Sequence, residues 1–590
     1  MAKLKKIISL IKTYGFIKTF KIIVLKLSGC RFVQKKKAVS IIKKSMNPQK
    51  LNREKNNHFD KEPLISILTP LYNTDVDMLK CVIESVINQT YRNVELCLCD
   101  GSDDSHGIIG EICNSYARKD ARIKYLKLSE NGGIAANTNA CAGMAEGEYL
   151  ALLDHDDILH PSAVYRVVKA INETGADFLY TDEVTFAGKI TNVLSTNLKP
   201  DYSPDTLRAN NYICHFTVFS KELFNSVGGF KSQYDGSQDH DLVLRLTDAA
   251  AKIFHIPEIL YFWRAHEGSV VENISAKEYA VSAGRNAVKD FLTDKGIEAE
   301  VSSTDVYPTI YRIKYIINDT PLISVIILNK NHKEDLSRCL DSIKKSSYSD
   351  IEIIIVENNS TEESIFEYYK TLTEENIKII TVNEPFNYSA FNNIAAGKAK
   401  GEYLLFLNND TEVINPQWIE EMLMFAARKD VGAVGARLLY PDNTLQHCYV
   451  ITGIGEDKVA VHAGVGLPKD DYGYLDRIGF NQNVNAVTGA CLMVRSGIFK
   501  EIGGFDEKLP VAYNDVDLCL KLREKGYLNV YTPFAVLYHY ESASRGRDND
   551  KGNRKRLLSE AEYMKKKWGV FLKDPYYNPN FSDEKAYILR

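Results

Sequence analysis

The chain has 590 residues, too many for a single hydrophobic core, and 45% apolar with 25% charged residues is an ordinary globular composition. The formal net charge of −4 hides an asymmetry: residues 1–55 hold 16 Lys or Arg against one acid, Glu54, which leaves the remainder at about −19. Domains that acidic argue against a nucleic-acid enzyme, which would carry a basic binding face.

Residues 1–62 read as a basic amphipathic extension and linker. Lys3, Lys5, Lys6, Lys12, Lys18, Lys21 and Lys26 interleave with Ile7, Ile8, Ile11, Tyr14, Phe16, Ile17 and Phe20. The pattern is too rich in lysine for a signal-peptide core, and no uncharged apolar run reaches the ~18–20 residues that span a bilayer. It suits a helix or helix pair lying on an anionic membrane surface; the alternative is a helix packed on the second domain. Residues 45–62 are polar and read as the linker proper.

Residues 63–305 form the first predicted domain. Strands are expected at 64–69, 94–99, 123–128 and 149–153, with helices at 77–88, 107–118 and 134–145 between them, an order that predicts a parallel sheet covered on both faces. Further strands fall at 178–180 and 213–219, and a helix at 276–294 closes the unit. Residues 320–552 repeat this layout, with strands at 323–328, 351–356, 377–381 and 403–407. The tail, 553–590, opens with a basic helix to Trp568, and Asp574-Pro-Tyr-Tyr-Asn-Pro-Asn580 reads as turns. The eleven cysteines are odd in number and show no zinc spacing, which fits thiols in a reducing cytosol.

The repeat is explicit in the residues. Tyr149 to Asp157 (Y-L-A-L-L-D-H-D-D) matches Tyr403 to Thr411 (Y-L-L-F-L-N-N-D-T), Cys99 to Asp104 matches Val356 to Thr361, Gly228-Gly-Phe230 matches Gly503-Gly-Phe505, and Asp239 matches Asp515. His266 is set opposite His539. The offset stays between about 254 and 276 residues, a duplicated domain and not a short solenoid repeat.

Each copy of this pattern delivers carboxylates to the carboxyl edge of a buried parallel strand, where open α/β sheets bind ligands. Asp154, Asp156 and Asp157 there, and Asp410 in the second copy, suit Mg2+ or Mn2+ holding a diphosphate; a solvated acidic turn, or Asp157 capping the next helix, is the alternative. His266 and His539 end strand-like runs and are candidate third ligands. Asp100, Ser102 and Asp103 follow the second strand, as Glu357 and Asn359 do in the repeat, where a carboxylate accepts bonds from a nucleoside. Asn131-Gly-Gly133 leads into a helix and could present backbone N–H groups to phosphate. Asp239 and Asp515 each open a helix behind a Gly-Gly-Phe segment; each is either a cap or a general base.

Taken together, Tyr72-Asn73 after the first strand, Asp100-Gly-Ser-Asp103, the D-x-D, Gly228-Gly-Phe230 and Gln238-Asp239 resemble family-2 glycosyltransferases of the GT-A fold, over about 63–300 and again 320–545. Lys199 to Pro204 and His539 to Gly546 resemble tandem members that build O-antigen, rhamnan or capsular polysaccharide. The resemblance implies two tandem GT-A (Rossmann-like, mostly parallel) α/β domains. It also implies a nucleotide-diphosphate sugar donor, with Mn2+ or Mg2+ held by Asp154, Asp156, His266, Asp410 and His539. Catalytic acids would be Asp239 and Asp515. Donor contacts would come from Pro70, Tyr72, Asp100, Ser102, Asp103 and Asn131, and from Asn329, Glu357 and Asn359. Asn408 and Asn409 leave a single carboxylate in the second acid loop. The expected reaction is inverting sugar transfer to an oligosaccharide or polyprenyl-diphosphate-linked acceptor, by a cytoplasmic protein held on the inner membrane face, with no nucleic-acid partner. The alternative is one catalytic domain beside a carbohydrate-binding one. A nucleotidyltransferase is disfavoured because no Gly-rich basic loop follows the first strand.

Overall fold

The computed structural model describes residues 30–265, 278–540 and 551–590. Strands β1 (Ile65–Leu71) and β2 (Val94–Asp100) are mostly apolar because both faces are covered; β2 is buried throughout, Glu95 included, its carboxylate accepting from Ser66 Oγ. The helix between them, Val76–Ile87, starts at Asp75, whose carboxylate accepts the N–H groups of Asp77 and Met78. Strands β3 (Ile123–Lys127), β4 (Tyr149–Leu152), β5 (Ile158–Leu159), β6 (Phe178–Phe186), β7 (Val193–Asn197), β8 (Thr217–Ser220) and β9 (Ile253–Arg264) complete one sheet in the order β3-β2-β1-β4-β8-β6-β9-β5, with β7 on β6. The first four strands in that order are parallel, whereas β8 runs antiparallel to β4 and β6.

The second sheet repeats this order strand for strand: Ile377–Thr381, Ile351–Glu357, Ile323–Asn329, Tyr403–Asn408, Cys491–Arg495, Val431–Leu439, Leu528–His539, Thr411–Val413. Strand registers therefore give residue-level equivalences. Tyr149 pairs Ser220 and Tyr403 pairs Arg495, so Ser220 corresponds to Arg495. Ile158 pairs Phe262 and Glu412 pairs Tyr538, so Phe262 corresponds to Tyr538. The repeat even shares its tight spots: a Cβ on Gly147 would sit 2.6 Å from Leu64 O, and one on Gly401 2.8 Å from Leu322 O.

The two domains share one buried apolar cluster, which runs from Leu68 and Phe178 through Tyr311 and Ile313 to Trp418 and Met422. Tyr311 and Ile313 belong to an antiparallel hairpin, Ala299–Ser303 with Tyr311–Tyr315. A polar seam joins the same bodies. Asp205, 2% exposed, accepts bonds from Arg208, Arg428 and Asn483.

One expectation is corrected here. The polar stretch 45–62 contains a helix, Pro48–Lys55, capped by Asn47, and its Glu54 is buried against Arg166 and Thr90. The helix Cys30–Ser45 packs Ala38 and Ile42 beside β7 of the first domain, and its Gln34 and Lys37 hold Tyr587 O and Leu589 O of the tail. Residues 1–29, which carry most of the expected membrane-facing pattern, lie outside the described residues. The tail makes the turns expected at 574–580, and they form a clasp: Asn578, 1% exposed, donates to both carboxylate oxygens of Asp182 and to Lys199 O in the first domain. Among the described residues no helix is long and apolar enough to cross a membrane.

Candidate active sites

In the first domain the acid loop leaves β4 beside β1, where Leu153 N still bonds Leu68 O. Asp154 stands at the edge with about half its side chain exposed. Its carboxyl is pushed up by its recessed position and by Asp156 and Asp239, against the pull of His215. Asp157 does not cap the following helix. It is fully buried and accepts bonds from Tyr261 OH (2.6 Å) and Arg264 N (2.7 Å), while Arg264 Nε donates to Asp156 O. Burial and the two neighbouring acids push the Asp157 carboxyl well up.

Sequence reasoning missed His215. Counting on from the β4–β8 pairs, His215 stands directly opposite Asp154. Its Nε2 lies 3.9 Å from Asp154 Oδ2, and its ring stacks on Tyr261 at 4.5 Å. Tyr261 OH also accepts from Asp154 N, so one phenol ties the acid loop to the imidazole. The backbone at His215 is held from below: fully buried Lys199 donates to Ile213 O, His215 O and Glu183. A histidine at the start of a strand carries no signal by itself; only the register reveals its partner. The ligand atoms of Asp154, Asp157 and His215 lie within 4.8 Å of one another. Two carboxylates and an imidazole are a donor set that a divalent cation such as Mn2+ accepts.

Asp239 sits in the first turn of the helix Gln238–Ala249, and Oδ2 accepts from Asn211 Nδ2 at 2.9 Å. Asp100 ends β2 almost fully buried; its oxygens accept from Ser102 N (2.8 Å) and Tyr125 OH (2.9 Å), with Lys127 Nζ at 3.4 Å. Ser102 Oγ accepts from Asn73 N. Asp103 accepts from Asn73, Ser105 and His106, and those bonds hold its carboxyl far below the ordinary range. Pro70 lies in β1, and Tyr72 just beyond it is exposed. Asp100, Asp103, Tyr125 and Lys127 line an open groove of 810 Å³. Asn131 Oδ1 accepts from Gly133 N and Asn137, and the helix that follows has Asp235 accepting from Ala135 N.

The second domain rebuilds the edge with different groups. Glu357 is buried and accepts from Ser360 N, Ser360 Oγ and Tyr369 OH. Asn359, at positive φ, donates to Glu384 O, and Asn329 Oδ1 accepts from Asn409. Asp410 Oδ1 lies 3.1 Å from His539 Nε2, and His539 Nδ1 meets Gln446 Oε1 at 2.7 Å. Asp515 occupies the first turn of Asn514–Glu524, as Asp239 does in its helix, and accepts from Gly489 N and Val516 N. His266, expected to mirror His539, lies outside the described residues, and the registers place Trp263 at the His539 position.

Glycosyl transferase family 2 matches residues 66–227 and 324–503. The chain belongs to that family. It is 40% identical over 535 residues to the uncharacterised protein y4gI of Sinorhizobium fredii, covering 89% of this chain and 58% of that one. It is 34% identical to the O-antigen biosynthesis protein RfbC of Myxococcus xanthus, covering 88% of this chain and 40% of that one. The chain thus spans about half the length of these relatives. Among solved structures, the mannosyltransferase PcManGT of Pyrobaculum calidifontis is similar at 15% identity and a TM-score of 0.32, over 43% of this chain and 66% of that one.

Proposed function

We propose that the chain transfers sugars from nucleotide-diphosphate donors to a growing cell-surface polysaccharide, with inversion and with one active site in each domain. The observation that carries this reading is positional. Two sheets of identical strand order each set an acid loop, a histidine and a helix-start aspartate at the same edge. Asp239 and Asp515 would take the proton of the acceptor hydroxyl as it attacks the anomeric carbon. Asp154 with its neighbours, and Asp410 with His539, would hold a divalent cation; when bound it neutralises the diphosphate leaving group. Asp100 and Glu357, fixed by their own hydrogen bonds, would offer remaining lone pairs to the nucleoside. The polysaccharide assignment leans on the O-antigen relative, of which this chain covers 40%.

The test is nucleotide-diphosphate release from a panel of sugar nucleotides by the wild type, Asp239→Asn and Asp515→Asn. Loss of a different donor's turnover in each variant supports two active sites. If Asp515→Asn leaves every activity intact, the second domain is a binding module, a reading favoured by Asn408 standing where the first domain has Asp154. A lipid-linked acceptor and membrane attachment belong to the same proposal. Removing residues 1–29, and not the helices at 30–55 that pack into the fold, should release the protein from anionic vesicles at low salt; unchanged sedimentation removes that part.

A further inference from the structure

We propose that the concavity between the N-terminal helix pair, Cys30–Ser45 and Pro48–Lys55, and the helix Ala163–Thr174 seats the phosphate of an anionic membrane lipid. The inference rests on the membrane attachment proposed above and names the ordered surface that would meet the bilayer.

Charge singles this surface out. Residues 30–55 hold nine of the 16 Lys and Arg found before residue 56, and their single acid is Glu54. That acid is already engaged: it is 5% exposed, lies 3.1 Å from Arg166 Nη2 and accepts from Thr90 Oγ. Lys35, Lys43, Lys44, Arg53 and Lys55 are all exposed.

Four cations converge on the concavity. Lys44, Lys50, Arg53 and Arg166 line an open space of 530 Å³, with Gln49 beside them. Arg166 is taken up by Glu54 and by Glu258 at 3.3 Å, and Lys50 meets Glu258 only at 4.0 Å. These ion pairs leave out Lys44 and Arg53, which have no acid partner among the described residues. Four cations against two acids leave an excess of two positive charges. A phosphate meets that excess, accepting from Lys as a point charge and from Arg as a fork.

The cradle is part of the fold. Ala38 and Ile42 are buried, Ser45 Oγ meets His160 Nε2 at 2.9 Å, and Thr90 holds Glu54 from the turn that enters β2. Asp100 stands at the other end of that seven-residue strand, roughly 20 Å along it, so the cradle is a different place from the groove at Asp100. Residues 56–590 carry about −19, the total of −4 less the +15 of residues 1–55. An anionic bilayer therefore repels the rest of the molecule and attracts this face. Residues 1–29 directly precede the platform and are rich in Ile and Phe as well as Lys. Attachment of this kind scales with apolar area plus electrostatic attraction; the first stretch supplies the apolar area and the platform more than half of the cations.

The experiment uses the full chain at low salt with vesicles of phosphatidylglycerol and phosphatidylcholine. Lys44→Gln with Arg53→Gln is compared with Lys35→Gln with Lys43→Gln, which removes the same charge outside the concavity. A basic residue near the surface is worth about fivefold in binding, so the outer pair should weaken partitioning about 25-fold at most. The concavity pair should weaken it at least about tenfold further, because a seated phosphate also loses charge-assisted hydrogen bonds. Lys44→Arg with Arg53→Lys should retain most of the binding, and thermal unfolding should be unchanged throughout. Equal losses for the two Gln pairs overturn the seated phosphate and leave residues 1–29 and diffuse attraction as the attachment. Phosphorus nuclear magnetic resonance of inorganic phosphate separates the two sources of the ligand. If the wild type ignores vesicles but broadens the phosphate line, and the concavity pair abolishes that broadening, the lipid is overturned in favour of a soluble phosphate. If the wild type binds neither, this proposal falls together with the membrane attachment, while donor turnover still tests the transferase reading by itself.

Discussion

Asp205 holds the two domains together at a single carboxylate, and its removal should be costly. Its Oδ1 accepts from Arg208 (3.0 Å) and from Arg428 of the second domain, its Oδ2 accepts from Asn483 (2.7 Å), and its own N–H bonds Asn483 Oδ1 (2.8 Å). Asp205→Ala leaves two guanidinium groups, each about 15% exposed, facing a site with no anion. Removing one partner of a buried pair costs about 3–5 kcal/mol. Arg428 keeps Asp430 at 2.7 Å and Tyr315 beneath it, which moves the expectation to about 3 kcal/mol, the low end of that range. Hydrogen exchange at the amides of 203–209 and 482–484 reads this local opening directly, where a single unfolding midpoint of a two-domain chain would not. The pH dependence has a definite sign. Burial raises the Asp205 carboxyl, but Arg428 and Arg208 outweigh it and the net shift is downward. The stabilisation is therefore present above the ordinary carboxylate pKa and lost as pH falls through the depressed one. Asp205→Asn should erase that acid limb. A loss under about 1 kcal/mol, or full additivity of Asp205→Asn with Arg428→Met, would refute the argument, since groups in contact must couple.

Three further outcomes are expected. His160 is buried, its Nδ1 accepts from Ser162 N and its Nε2 meets Ser45 Oγ; burial first, then Lys50 and Arg166, push its pKa down to about 3. Stability is then full above the unfolded value near 6.5 and falls as pH drops toward 3, by about 2 kcal/mol at pH 5, which proteolysis of the 30–62 segment at pH 5 and 7.5 should reveal. Gly147→Ala and Gly401→Ala should each cost about 1–3 kcal/mol in thermal unfolding, because the new methyl meets strand backbone that cannot turn aside. Asn578→Leu should cost about 1–3 kcal/mol by leaving Asp182 short of a donor, measured as lost exchange protection at 180–184.

Much of the sheet was readable because its strands are buried on both faces, and β1, β2 and their repeats show it as predominantly apolar runs. The helix Pro48–Lys55 was not, since seven of its eight residues stay at least partly open to solvent and leave no apolar period to see. The turns of the tail were readable, but what they hold was not. Its Asp, Pro and Asn residues do make turns, but those turns carry Tyr577 and Phe581 into the core and aim Asn578 at a carboxylate about 400 residues away in sequence, a distance on which local turn chemistry is silent. His215 and the Trp263–His539 equivalence depended on pairing register, which a repeat aligned by residue identity cannot supply; identity sets His266 opposite His539, whereas the register gives that position to Trp263.

The tail also bears on how the two edges are maintained. Asp182, which it holds, accepts from Lys199 N, and Lys199 in turn supports the backbone on which His215 is displayed. The path from Asn578 to His215 thus runs through Asp182 and Lys199, all three nearly or wholly buried, so the first domain's edge is built partly by the last residues of the chain. No such dependence runs the other way through these contacts, because Gln446 and Gly489, which hold His539 and Asp515, lie within the second domain. The tail packs on the second domain as well, where Asp574 accepts from Thr452 N and Tyr587 OH meets Tyr449 OH, but only the first site has its histidine backbone on this path. It is complete only once the tail has docked, so a chain truncated before 574 should lose ordered placement of His215 while Asp515 keeps its contacts.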